Sequence, residues 1–176
     1  GDVHYMALHT GRTTILTIHD VKSATQGHFL KQFYIRLFWF WLPAFLVKRI
    51  TVISEFTKHE LVNIIPFAKK KIQVVHNPVN PMLKAAPFTF NTAMPNILLI
   101  GTKPNKNLER SFEALKNIPC QITIIGSLYE NQLMLLKKFE IDFVNKLNLN
   151  FDGVIECYKN CDLLCFASTY EGFGMP

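Results

Sequence analysis

The sequence predicts an α/β protein built from two doubly wound parallel sheets. Three observations carry that expectation. Short, continuously apolar, β-branched runs alternate with stretches of helical character, which is the rhythm of strands covered on both faces by crossover helices. The rhythm is interrupted once, between residues 77 and 95, where Pro78, Pro81, Pro87 and Pro95 break a stretch of little periodicity, and then restarts. Glycine-bearing loops follow several strands at the carboxyl end, where open parallel sheets bind their ligands.

In chain order, "TTILTIHD" (13–20) and "RITVIS" (49–54) read as strands, with the long aromatic stretch "HFLKQFYIRLFWFWLPAFLVK" between them reading as helix. "SEFTKHELVNII" follows with Ser54 as N-cap, because a serine hydroxyl there satisfies an orphan amide of the first turn. "KIQVVHNP" returns to strand. After the interruption come "NILLIG" as strand, "NLERSFEALKNI" as helix, "CQITIIG" as strand, "YENQLMLLKKFEIDFVNKL" and "DGVIECYKNC" as helices, and "DLLCFAS" as strand. The expected division is a domain over 1–80, a linker over 81–95 and a second domain over 96–176, each holding an incomplete Rossmann-like sheet.

Composition bounds the function. With 49% hydrophobic and 18% charged residues in 176 positions, the chain can bury a sizeable core and is far from the balance of disordered proteins. A net charge of +6 favours anionic partners such as nucleotides, phosphosugars or an anionic membrane face. Nucleic acid is not expected, since the only basic run, Lys69 to Lys71, reads as a solvated helix end. "GDVHYMALHT" shows neither the basic nor the apolar region of a signal peptide. The run "LFWFWLPAFLV" falls short of the roughly 20 residues of a spanning helix. Cys157, Cys161 and Cys165 recur at every fourth position, but a change from helix to strand before Cys165 would take it off the shared face, so reduced, packed thiols of a cytoplasmic protein are expected and no metal site. The histidines at 4, 9, 28, 59 and 76 show no ligand spacing.

Three constellations carry chemistry. In "IGTKPNKN" a strand ends at Gly101 and a helix begins near Leu108; glycine lets the backbone approach a ligand, the helix start offers unpaired amides, and Lys106 adds positive charge, which together suit a diphosphate. The spacing fits neither the P-loop nor the dinucleotide fingerprint. "STYEGFGMP" follows "DLLCFAS", so Glu171 can accept hydrogen bonds from sugar hydroxyls while the amides around Gly172, Phe173 and Gly174 face oxygens. "TIHD" places His19 and Asp20 at the end of the first strand. Each has a plainer reading, as an ordinary loop, a capped turn or a structural histidine.

Taken together and in this order, "TILTIHD", "ITVISEFTKHEL", "KIQVVHNPVN", "LLIGTKPNKNLERSFEAL" and "CYKNCDLLCFASTYEGFGMP" resemble the retaining GT-B glycosyltransferases of the GT4 type. "EGFGMP" is the most specific piece. The resemblance implies a GT-B fold and transfer of a hexose-type sugar, with retention of configuration, from a nucleotide-sugar donor to a glycan or lipid-linked acceptor. It implies that Lys106 neutralises the donor diphosphate, with Gly101, Thr102 and Lys103 in the same loop. Glu171 would contact the donor sugar beside the amides of Gly172, Phe173 and Gly174. His19 would face the reacting sugar from the other domain. No metal ion or other cofactor is expected. Relatives often carry an arginine near Lys106, for which Lys103 substitutes here, and have a glycine where Pro78 stands. They also pair Glu171 with a second glutamate further along, and the 176 residues by themselves are expected to transfer little or no sugar. A phosphorylase or epimerase on the same frame, and a nucleotide-sugar-binding module without catalysis, are the alternatives.

The aromatic stretch admits two readings. The favoured one is a helix buried all round and kinked or split at Pro43. The other is a surface helix whose Trp39 and Trp41 dip into a membrane between Arg36, Lys48 and Arg49, which would suit a lipid-linked acceptor and a peripheral location on the inner face of the plasma membrane.

Overall fold

The computed structural model describes residues 14–25, 27–81, 83 and 87–176. His4, His9 and Thr13 lie outside them, as do four positions of the expected linker, 82 and 84–86. The chain forms two compact units. One runs up to Val79 and takes in Glu171–Met175; the other comprises Asn80–Tyr170 with Pro176.

The first unit is organised on a parallel sheet of β1 (Ile15–Ile18), β2 (Arg49–Val52) and β3 (Ile72–Val74), in that order. Leu16 lies opposite Ile50, and Ile50 opposite Ile72, so β-branched and leucine side chains meet across the strands on one face. They form a core with Val21, Ala24, Phe40, Ala44, Leu61 and Ile65. A short helix α1 (Lys22–Thr25) follows β1. α4 (Glu55–Ile64) begins where the sequence places it, with Ser54 Oγ accepting from the amide of Thr57 at 3.0 Å. A 3-10 helix over Pro66–Lys71 leads into β3.

The aromatic stretch differs from the favoured expectation. It runs as α2 (Phe29–Ile35), a π-helical segment (Arg36–Trp41) and α3 (Leu42–Leu46). Pro43 lacks an amide hydrogen and crowds the preceding turn, and the wider π turns just before it let the helix continue rather than split. Nor is it buried all round. Phe40, Pro43 and Ala44 are buried, whereas Phe29 is 76% exposed, Phe45 72%, and Leu30, Phe33, Tyr34 and Trp41 are exposed as well. Polar contacts hold it to its unit: Arg36 Nε donates to Ala24 O at 3.0 Å and Trp41 Nε1 to Ile64 O at 2.8 Å. Lys71 is likewise not the solvated residue expected. Its Nζ donates to the carbonyls of Ala44 and Val47 at 2.9 and 3.0 Å, placing a cation on the carboxyl end of α3 where the helix dipole favours it.

The second unit holds a parallel sheet of β4 (Asn96–Ile100), β5 (Gln121–Ile125), β6 (Asp142–Lys146) and β7 (Leu163–Leu164), in the order β6-β5-β4-β7. β4 and β5 bury their three central residues each, as strands covered on both faces do. α5 (Leu108–Leu115) turns Leu108, Ser111 and Phe112 inward at helical spacing. α6 (Glu130–Lys138) and α7 (Phe151–Lys159) complete the helices.

Here the expected single helix over 129–147 is corrected. α6 stops at Lys138 and β6 takes up Asp142–Lys146. The stop is a Schellman motif: Glu140 takes φ 52°, its amide donates to Lys137 O, and the Ile141 amide donates to Leu136 O. Leu136 and Ile141 then share the core, the hydrophobic contact that accompanies the motif. A glutamate in a place that favours glycine hid the break from the sequence.

Candidate functional site

The loop after β4 brings two of the expected residues against each other. Gly101 takes φ 84°, and its amide donates to Ile125 O at 2.8 Å. The Lys106 side chain lies over it so closely that a Cβ at Gly101 would sit 2.9 Å from Lys106 Cε. Lys106 Nζ lies 5.1 Å from the ring centroid of Phe166, a cation-π contact. A 3-10 turn, Pro104–Lys106, and Asn107 in the left-handed region at φ 60° then turn the chain into α5. The loop thus presents a lysine, a glycine without side-chain bulk and a helix N-terminus together. Lys103 is exposed on the same loop. Thr102 is buried, and its hydroxyl donates to Ser127 O at 2.7 Å.

This loop is tied to the one after β7, the neighbour of β4 in the sheet. The Thr169 amide donates to Asn105 O at 2.8 Å, Asn105 Nδ2 to Tyr170 O at 3.3 Å and Asn107 Nδ2 to Ala167 O at 3.2 Å. From behind, Gln132 acts as a buried hub at 1% exposure. Its Nε2 donates to Thr102 O at 3.0 Å and Glu109 Oε1 at 3.1 Å, while its Oε1 accepts from the Tyr129 amide at 3.1 Å. A lone glutamine in a helix carries no sequence signal of such a role beyond its N3 position in a capping box.

The continuation, Glu171–Met175, packs within the first unit. Gly172 lies against the carbonyl of His19, so close that a Cβ would collide with the His19 oxygen, and no other residue fits without movement. Its own carbonyl accepts from Ser54 Oγ at 2.5 Å and Thr57 Oγ1 at 2.9 Å. The Phe173 ring lies 5.8 Å from that of His76, whose Nδ1 contacts Ile53 O at 3.1 Å. Gly174 takes φ 86°. His19 is exposed, and the adjacent Asp20 accepts from the Lys22 amide at 3.0 Å, fixing the turn after β1. The structure therefore gathers His19, Gly172 and Phe173 in one unit and Gly101, Thr102 and Lys106 in the other. Glu171 is half-buried at the start of its segment. The contacts of Ser54, Thr57 and His76 with the Gly172–Phe173 segment were not legible in the sequence, where the Ser-x-x-Thr spacing marks only a helix start.

The remaining titratable groups fall outside this arrangement. Burial pushes the thiols of Cys120 and Cys161 up, which keeps them protonated. The four cysteines are free, and Cys161 lies beyond the end of α7. Among the described residues no group of three histidine, cysteine or carboxylate side chains is placed to hold a metal ion. Asp162 Oδ2 accepts from the Asn96 amide at 2.7 Å and Oδ1 from the Asn91 amide at 2.9 Å, which holds its carboxyl below the usual carboxylate range.

Two parallel α/β sheets, with a Gly101–Lys106 loop at the carboxyl end of one and the Glu-Gly-Phe-Gly segment after β7 in the chain, are the features expected of a GT-B glycosyltransferase. Comparison with known proteins agrees. The model of the family described as Glycosyltransferase Family 4 matches residues 3–83, and that of Glycosyl transferases group 1 matches 91–176. A crystal structure of a point mutant of S. aureus TarM, in complex with fondaparinux, alpha-GlcNAc-glycerol and UDP, superimposes with a TM-score of 0.65 at 17% identity, over 90% of this chain and 32% of that one. This chain thus spans about a third of the length of the TarM chain. No curated protein sequence matches it. The chain belongs to the GT4-type glycosyltransferases.

Proposed function

We propose that the protein transfers a hexose-type sugar from a nucleotide diphosphate sugar to a glycan or lipid-linked acceptor, with retention of configuration. The observation that carries this reading is the Lys106 side chain laid over Gly101 beside the start of α5. Departure of a nucleoside diphosphate builds negative charge, and a preorganised cation with helix-terminal amides meets that charge with little reorganisation. Removal of one such donor typically costs about 10²–10³ in kcat. Lys103 adds a second positive charge to the loop.

In this reading Glu171 contacts the hydroxyls of the donor sugar, and the amides of Gly172, Phe173 and Gly174 lie beside it. His19 faces the reacting carbon. The leaving phosphate takes the acceptor proton on the face from which it departs, so the new bond keeps the old configuration, and no paired carboxylates of the glycosidase kind are required. No metal ion is invoked. The TarM structure holds UDP and glycan-type ligands, which supports a nucleotide-sugar donor and a glycan acceptor here. The exposed aromatic face of residues 29–46, with exposed Lys69 and Lys70 on the neighbouring 3-10 helix, supports peripheral contact with an anionic membrane on its cytoplasmic side. No helix among the described residues is long and apolar enough to cross a membrane.

The test is product analysis with the full-length protein and α-linked nucleotide sugars. An α-linked product, formed only when acceptor is present, is expected. A β-linked product would overturn retention, and sugar release or isomerisation that needs no acceptor would favour a phosphorylase or epimerase.

A further inference from the structure

We infer that Ser54 and Thr57 are positioning residues for sugar transfer: their hydroxyls hold the Gly172 carbonyl and set the direction in which Glu171, Phe173 and Gly174 are presented. The inference rests on the proposed role of that segment in holding the donor sugar.

Proton bookkeeping supports it. Capping α4 requires only that Ser54 Oγ accept from the Thr57 amide, which it does at 3.0 Å. The hydroxyl proton of Ser54 is left over from the cap, and of the two acceptors within its reach Gly172 O, at 2.5 Å, is nearer than Thr57 Oγ1, at 3.0 Å. Thr57 has no capping duty for its hydroxyl, yet it is 1% exposed, and Oγ1 reaches the same carbonyl at 2.9 Å across 115 positions of sequence. A carbonyl has two lone pairs, and the two hydroxyls fill them. The nearby His19 carbonyl, 3.3 Å from Thr57 Oγ1, is the weaker competitor. The accepting oxygen also sits at the amino end of the ten-residue α4, where partial negative charge is favoured. On the side where a Cβ would stand, Gly172 lies against the His19 carbonyl, which leaves no room for a side chain. The peptide is thus held on both counts, and its neighbours in sequence inherit that orientation.

Thr57→Val keeps shape, burial and the cap while deleting one donor. In the full-length protein, with wild type for reference, three readouts decide: thermal unfolding, steady-state sugar transfer, and amide hydrogen exchange over 171–175. Thr57→Val is expected to lower kcat about tenfold, the scale of one ordinary hydrogen bond, with UDP affinity within about twofold of wild type. Thr57→Ser is expected to restore kcat, and Ser54→Gly, which retains a serviceable cap, is expected to lower kcat in the same way. Exchange over 171–175 should quicken in Thr57→Val while exchange within α4 stays unchanged. Unchanged exchange and unchanged kcat in a folded Thr57→Val protein would overturn the inference, as would a loss of kcat that Thr57→Ser does not restore. Should wild type transfer no sugar, the proposed function fails, and exchange in the two variants still decides whether the hydroxyls hold the segment.

Discussion

Asp162 shows how one carboxylate can fix the entry to a sheet. Its two oxygens take the amides of Asn91 and Asn96, one before and one at the start of β4, so the incoming chain is pinned where the strand begins. Both bonds, the one from the Asn96 amide foremost, favour the ionised form and depress the folded-state pKa below the ordinary carboxylate value of 3.8. The stabilisation is therefore complete above that value and is lost as pH falls through the lower folded one. Asp162→Asn removes the charge and keeps the shape. Thermal unfolding is expected to show the variant less stable than wild type near neutral pH, with the gap closing below about pH 4. A gap of constant size down to about pH 2 would mean that charge plays no part. At this same scale the sequence was partly transparent. Ser54 was legible as a cap because residue type and position coincide, whereas the second partner of its hydroxyl lies 118 positions away in sequence and leaves no local mark.

Among the elements, the aromatic helix departs most from expectation. A helix apolar all round reads as buried, because periodicity cannot distinguish a core from a surface that meets something other than water. Its inner side is defined by Phe40, Pro43 and Ala44, its carboxyl end is capped by Lys71, and Phe67 meets Phe45 in a tilted contact and Trp41 edge-on, at ring centroid distances of 5.2 and 5.7 Å. The exposed aromatic side predicts vesicle binding by the full-length protein. Co-sedimentation with anionic vesicles, weaker with zwitterionic ones and reduced at least about threefold by the double change Phe29→Glu and Phe45→Glu, is the expected result. Equal sedimentation of wild type and variant would remove the membrane contact from the account. The strands were legible elsewhere because "RITV", "NILLI" and "QITII" are each an apolar, largely β-branched run behind a polar first residue, and the last two end at a glycine. β6 was not legible, since "DFVNK" is an edge strand with mixed burial and its boundary depends on the positive φ of Glu140.

On the scale of the molecule, the two parallel sheets and the motifs at their strand ends agree with each other and with the family matches. The order of motifs was readable because strand ends in such sheets are where chemistry collects. The supports behind them, Gln132 behind the Gly101 loop and Thr57 behind Gly172, were not, because each acts through a partner remote in sequence. The central claim is that the Lys106 loop receives a nucleoside diphosphate. Isothermal titration of UDP, GDP and ADP into the full-length protein and its Lys106→Ala variant tests it most directly. One nucleotide is expected to bind, with affinity about 10- to 100-fold weaker in the variant, the scale of a hydrogen bond to a charged group. Binding of none of the three to the folded protein, or binding unaffected by Lys106→Ala, would contradict the account.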